Sequence, residues 1–229
     1  MEKYGLKKSV TNYIILINAF IFALMFIFGG FGAFSNGLNL IKFGAQYGGM
    51  GNSQWFRMIT SMFVHGGFWH ILLNMYALYY FGNLTENVYG KYKYLSVYLL
   101  SGFAGNLLTA LVTSGMSISV GASGAIFGLI GLLFGSGFRS DTPHMMKRFT
   151  GTALLPVIII NIIFGFTMSG INNMAHIGGL IAGFTFGWLT PVTYTSTSWK
   201  IWKILYYISI AIIAVSFVLL VIFDIYLFG

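Results

Sequence analysis

Long apolar runs recur along this chain with almost no charge inside them, and that pattern leaves few ways to fold. Crossing the apolar core of a bilayer takes about 20 such residues in a helix. Seven segments qualify, near residues 13–31, 68–84, 92–112, 123–138, 149–166, 173–189 and 203–228. Of 229 residues, 57% are hydrophobic and 7% charged, with a mean hydropathy of +0.83. A soluble domain carries about a quarter charged residues, so the polar surface here is too small to coat a water-soluble globule. The expected fold class is an all-α polytopic membrane protein with lipid as its solvent.

Charge placement supplies an independent check on the number of spans. With the N-terminus in the cytoplasm, the inside holds Lys3, Lys7, Lys8, Lys91, Lys93, Arg139, Lys147, Arg148, Lys200 and Lys203, ten of the twelve Lys and Arg. Only Lys42 and Arg57 fall outside. The positive-inside rule then predicts an odd number of spans with the C-terminus external. The net charge of +8 is accounted for by this loop topology, and no basic stripe interleaved with aromatics suggests nucleic-acid binding. The chain has no Cys, which excludes disulfides, thiolate catalysis and Cys-based metal sites. The first apolar segment lacks a small-residue cleavage site after it and is expected to be a retained span, not a cleaved signal.

Residues 32–67 form the one long external loop. Phe34, Leu38, Leu40, Ile41, Phe43, Trp55, Phe56, Met58, Ile59 and Phe63 are scattered there among Gly, Asn, Ser and Gln, a mixture that suits a structured lobe in the interface. The last span follows Pro191 and a Thr/Ser-rich linker, so residues 191–229 are expected to be an appended helix on a core of residues 1–190. No internal repeat is evident.

Polar residues inside a membrane are costly and therefore candidates for function. Three groups stand out, all toward the external side. Gly121-Ala122-Ser123-Gly124 opens the fourth segment, which is too short to fill the bilayer core and should begin below the outer surface. The unpaired N–H groups and partial positive charge of a helix start would surround Ser123 and could hold an oxyanion; the alternative is a Ser cap with small residues for packing. Ala175-His176 is followed by Gly179, Gly183 and Gly187, at spacings that share one helix face. The complementary face is Gly124, Gly128, Gly131 and Gly135, and contact between the two would bring Ser123 and His176 within hydrogen-bond reach. Serine needs a base to act as a nucleophile, and His is the usual one; a glycine zipper with an interfacial His is the alternative. Third, His70 and Asn74 lie four residues apart on one face, and both can donate to an oxyanion. Metal binding is a poorer option, because the four His are dispersed and no carboxylate is near on the external side except Asp224.

Together these elements resemble the rhomboid protease family. His70-x-x-x-Asn74, Gly121-Ala122-Ser123-Gly124 and Ala175-His176-x-x-Gly179-x-x-x-Gly183 match it in order and on the matching spans. Trp55-Phe56-Arg57 resembles the family's tryptophan–arginine element, with Phe56 where Trp is usual. Glu86 with Gly90 resembles the polar end of its second helix. The resemblance covers about residues 10–190 and implies a six-helix bundle with an appended seventh helix. It implies that Ser123 is the nucleophile and His176 the general base, with His70, Asn74 and the Ser123 N–H as oxyanion hole. Gly121, Gly124, Gly179 and Gly183 would support the site. Phe127, where the family often has Tyr, would stack under His176. A dyad needs no third member, although Asp224 could be proposed as one.

The implied activity is hydrolysis of peptide bonds in or near transmembrane segments of membrane proteins, without a metal or other cofactor. Water would enter from the external side, where the polar runs 113–119 and 169–173 fit a hydrated mouth. The expected location is a cell membrane, and the Cys-free composition suggests a bacterial one. Two other readings remain: a catalytically dead relative that binds membrane clients, which would lack the Ser or the His, and a small transporter, for which inverted repeats or several intramembrane carboxylates are expected.

Overall fold

The computed structural model describes residues 9–50, 52–113, 117–168 and 170–228. Lys3, Lys7 and Lys8, and parts of the 113–119 and 169–173 runs, lie outside them. The chain is almost wholly helical: α1 (Val10–Gly29), α2 (Gly37–Lys42), α3 (Arg57–Thr60), α4 (Phe68–Ala77), α5 (Asn83–Val112), α6 (Ser123–Ser136), α7 (Leu155–Thr167), α8 (Asn173–Leu189) and α9 (Ser196–Phe228). Each of the seven apolar segments is helical. Four continuous helical stretches are long and apolar enough to cross a membrane: Val10–Phe34, Phe68–Val112, His144–Thr167 and Ser196–Asp224.

The stretch Phe68–Val112 contains two of the expected segments. A π-helical turn, Leu78–Gly82, joins α4 to α5, and α5 is broken at Gly90, whose φ of 69° lies in the left-handed region that glycine tolerates. The break leaves backbone groups without helical partners. Tyr194, from the linker after α8, repairs it: its hydroxyl donates to the Tyr89 carbonyl and accepts from the Lys93 N–H at 3.3 Å. Lys93, expected at the inner surface, is buried instead. Its Nζ donates to the carbonyls of Thr190 and Pro191 just past the end of α8, where a cation meets the negative end of the helix dipole. At the same end of the bundle Glu86 accepts from the N–H groups of Val10 and Thr11 and from the Ser9 and Thr11 hydroxyls, satisfying the start of α1.

Helix α6 is the centre of the bundle. All its residues except Ser123 and Phe134 are buried, and a helix apolar all round belongs in a core. It packs against α8 and α5 through glycine. A Cβ built at Gly179 would lie 2.0 Å from the Gly124 carbonyl oxygen, and one at Gly183 would lie 1.9 Å from that of Gly128. From the other side, Gly131 and Gly135 meet the carbonyls of Leu180 and Phe184 at 2.3 and 2.2 Å. Backbones approach this closely only where no side chain intervenes. Gly105 extends the same device to α5, where a Cβ would be 2.4 Å from the Ala175 carbonyl oxygen. The outer faces of α1, α4, α7 and α9 expose large apolar residues such as Phe20, Trp69, Ile160 and Val218, as lipid contact requires.

Residues 30–66 form a folded lobe at one end of the bundle. It holds α2, α3, single turns of 3₁₀ helix, and a two-residue strand, β1 (Gln46–Tyr47). Strand β1 pairs antiparallel with β2 (Ile118–Ser119), placing Gln46 opposite Ser119. The lobe is thereby stitched to the segment leading into α6. Helix α9 is more than an appendage: Trp202, Ser209, Ser216 and Leu220, at spacings of seven, seven and four, are all buried against the bundle.

Candidate active site

Ser123 is the first residue of α6, with Ala122 as its cap. The first α-helical bond of this end runs from the Ile126 N–H to the Ala122 carbonyl, so the amides before it have no partner one turn back. With 14 residues the helix is about 21 Å long, shorter than a ~30 Å hydrocarbon core. The turn before it is set by Gly121, whose φ is 114°, with its N–H donating to the Ser61 carbonyl at 2.9 Å. No larger residue fits at 121, because a Cβ there would stand 2.6 Å from His70 Nε2.

His176 lies in the first turn of α8. Asn172 caps that helix, its Oδ1 accepting from the Ala175 N–H at 3.1 Å. Its Nδ2 donates to the hydroxyls of Thr109 on α5 and Ser119 on β2, at 3.0 and 2.8 Å. Three elements therefore fix the height and rotation of α8 where His176 leaves it. The imidazole Nε2 is 2.9 Å from Ser123 Oγ. Its ring stacks on Phe127, one turn further along α6, with centroids 4.3 Å apart and planes 11° from parallel. His176 Nδ1 has no hydrogen-bond partner among the described residues.

His70 and Asn74 lie on α4 on the same side of the helix. The Gly66 N–H donates to His70 Nδ1 at 3.4 Å, which leaves the proton of a neutral ring on Nε2, the atom that abuts Gly121. Asn74 donates one amide hydrogen to the His70 carbonyl at 2.9 Å and keeps a second. Asp224 is nowhere near the imidazole of His176: its carboxylate accepts from Arg57 at 3.2 Å on the lobe. Among the described residues, no group of three His, Cys, Asp or Glu could hold a metal ion.

The Rhomboid domain family model matches residues 52–193. The chain belongs to the rhomboid family. The match includes Ser123, His176, His70, Asn74, Gly121, Phe127 and Asn172, whereas Asp224 and the rest of α9 lie beyond it. Among rhomboid relatives, the rhomboid protease GluP of Bacillus subtilis (strain 168) is 36% identical over 179 residues, 78% of this chain and 34% of its own. RHOMBOID-like protein 6, mitochondrial, of Arabidopsis thaliana is 39% identical over 139 residues, 61% of this chain and 44% of its own. RHOMBOID-like protein 2 of the same plant is 34% identical over 179 residues, 74% of this chain and 55% of its own. The chain thus spans between a third and just over half the length of these relatives. Family and apolar helices together make it a multi-pass membrane protein.

In this rhomboid-family chain the structure also brings residues to the candidate site that the sequence did not single out. His65 is fully buried, its ring 5.1 Å from that of His70 in an edge-to-face arrangement. Burial, with His70 adding to it, pushes the His65 imidazole down to about 3, so it stays neutral. Asn106 donates to the Met58 carbonyl at 2.7 Å and to the Ser61 hydroxyl at 3.1 Å, holding the lobe strip that carries Gly121. A very small cleft of about 10 Å³ lies between β1 and the end of α5, lined by Gln46, Tyr47, Thr109, Ala110, Thr113 and Ser119. The one available signal was that His, Asn and Thr lay in otherwise apolar stretches. Their partners are distant in the chain, so nothing local marked them.

Proposed function

We propose that this chain is an intramembrane serine endopeptidase. The observation carrying this reading is the 2.9 Å approach of Ser123 Oγ to His176 Nε2, at a helix start and behind a glycine-packed interface. His176 Nε2 takes the Ser123 proton as Oγ attacks the scissile carbonyl. The oxyanion is received by His70 Nε2–H, the free Asn74 amide hydrogen and the Ser123 N–H. His176 then gives its proton to the leaving amine, and a water activated by the same imidazole hydrolyses the acyl-enzyme. With no carboxylate on Nδ1 among the described residues, the machinery is read as a dyad, oriented by the Phe127 stack.

The seven apolar helical segments are read as seven crossings, N-terminus inside and C-terminus outside. Lys93 and Arg139, which cap the end of α8, then share the inner face, and Arg57 and Ser123 lie toward the outer one. Residues 1–190 are the catalytic core, with its external lobe, and 191–229 the linker and seventh helix. Substrates are transmembrane segments of other membrane proteins, unwound near the outer face, and the location is a bacterial cell membrane.

The test is cleavage of a single-span reporter in detergent or liposomes, with labelling by a serine-directed fluorophosphonate. Ser123→Ala and His176→Ala should each abolish cleavage with the protein still folded, and Ser123→Ala should abolish labelling. Undiminished labelling of Ser123→Ala would move the nucleophile elsewhere. Asn74→Ala should slow turnover by up to about 100-fold, the low end for one oxyanion-hole donor among three; an unchanged rate removes it from the oxyanion hole. A wild-type protein that neither cleaves nor labels would favour the alternative, a client-binding relative without hydrolysis.

A further inference from the structure

Helix α9 ends on the lobe, and the contact there is an ion pair. Arg57, at the start of α3, is 0% exposed. Its Nε donates to Gln54 at 2.7 Å, its Nη1 to the carbonyls of Ile41 and Ala45, and its Nη2 to Asp224 at 3.2 Å. The guanidinium thus ties the 41–45 segment of the lobe and Gln54 to α3, and Asp224 supplies the charge that compensates it. A buried guanidinium stripped of its carboxylate is strongly disfavoured. Apolar contacts flank the pair: Phe223 meets Phe56 edge-to-face at 5.8 Å, Phe217 meets Phe63 at 5.6 Å, and Leu220 fills the space over Gly44 so closely that a Cβ there would be 2.9 Å from it.

The tethered strip leads directly to the site. Four residues after Arg57, the Ser61 carbonyl holds the Gly121 N–H at 2.9 Å. Gly121 abuts His70 Nε2 and stands two residues before Ser123. Two residues beyond Phe63 comes His65, packed on His70. Loosening α3 therefore shifts the turn that sets Ser123 and the ring proposed for the oxyanion.

We infer that the outer end of α9 is a positioning element for this site: Asp224, through Arg57, fixes the lobe strip that holds Gly121 and backs His70, so the seventh helix takes part in turnover without touching substrate. This rests on the protease reading of Ser123. Arg57 and Asp224 are positioning residues, and their loss should lower kcat while leaving KM nearly unchanged.

The experiment uses the full chain. Asp224→Ala should lower kcat on the reporter about tenfold, with KM within twofold, and slow fluorophosphonate labelling in the same proportion. Asp224→Glu, which keeps the charge, should recover most of the rate. Amide exchange across residues 41–61 should rise about tenfold in Asp224→Ala, a readout that needs no activity. Wild-type turnover and labelling in Asp224→Ala would overturn the proposal, as would slow turnover with unchanged exchange in the lobe. A wild-type protein without activity, whose lobe still loosens in Asp224→Ala, would overturn the reading of Ser123 and leave the tether standing.

Discussion

Ser123 Oγ and His176 Nε2 are 2.9 Å apart although 53 residues separate them in the chain. No local interaction connects the two. Their meeting is the sum of the α6–α8 backbone contacts beneath them, where glycine carbonyls and α-carbons touch at Gly124–Gly179 and Gly128–Gly183.

That interface makes a sharp prediction. Gly183→Ala places a methyl 1.9 Å from the Gly128 carbonyl oxygen, and both are backbone, so the helices must separate. Overpacking of this kind costs about 1–3 kcal/mol. Thermal denaturation should show a Tm lower by several degrees, and reporter cleavage should fall at least tenfold. Gly32→Ala, where nothing lies within 4 Å of the new methyl, should change neither.

The stack of Phe127 on His176 should matter for orientation beyond apolar packing. Aromatic pairs contribute about 0.5–1.5 kcal/mol beyond area burial. Phe127→Leu keeps most of the volume and loses the plane, so kcat should fall roughly 3- to 10-fold. Phe127→Tyr, which keeps the ring, should retain activity within about twofold. Steady-state kinetics on the single-span reporter distinguishes the two.

Asn172 couples helix capping to the site. Asn172→Ala removes the cap and both bridges to Thr109 and Ser119, and cap loss alone costs about 1 kcal/mol. Both Tm and kcat should drop. Asn172→Asp keeps the acceptor for the Ala175 N–H and loses the donors, so its Tm should lie between wild type and Asn172→Ala.

His65 gives the pH dependence a direction. Its folded-state value of about 3 lies below the ordinary 6.5, so between those limits the unfolded chain binds the extra proton. Stability then rises with pH across this window. The contribution is complete above pH 6.5 and is lost progressively as pH falls toward 3. Melting curves from pH 7 to 4 should show Tm falling toward acid, and His65→Gln, which cannot charge, should flatten that slope.

Tyr194 tests the repair at the α5 break. Tyr194→Phe removes the hydroxyl that bridges Tyr89 and Lys93 and leaves those backbone groups unsatisfied, at a cost of about 1–3 kcal/mol. The Tm should fall while kcat of the folded fraction stays near wild type, because the break is at the end of the bundle opposite Ser123.

Hydropathy was enough to mark the apolar runs as helix, because an apolar run in lipid has few alternatives; it did not fix how many of them cross the membrane, and four continuous stretches are long and apolar enough to do so. The glycine faces of α6 and α8 were legible too, since spacing of three and four residues assigns a helix face without knowledge of the partner. From those two faces the nearness of Ser123 and His176 followed. What the chain alone could not disclose were contacts between residues with no periodic relation. The Asn172 bridge to Thr109 and Ser119, the pairing of Asp224 with Arg57 and the burial of Lys93 against the end of α8 each depend on how separate segments come together, and a side chain's type says what bonds it needs but not which distant group supplies them. Helix α9 is the clearest instance. By composition it is an apolar run after a polar linker, and only the packed structure turns its last carboxylate toward the lobe, because a buried guanidinium waits there for a counter-charge.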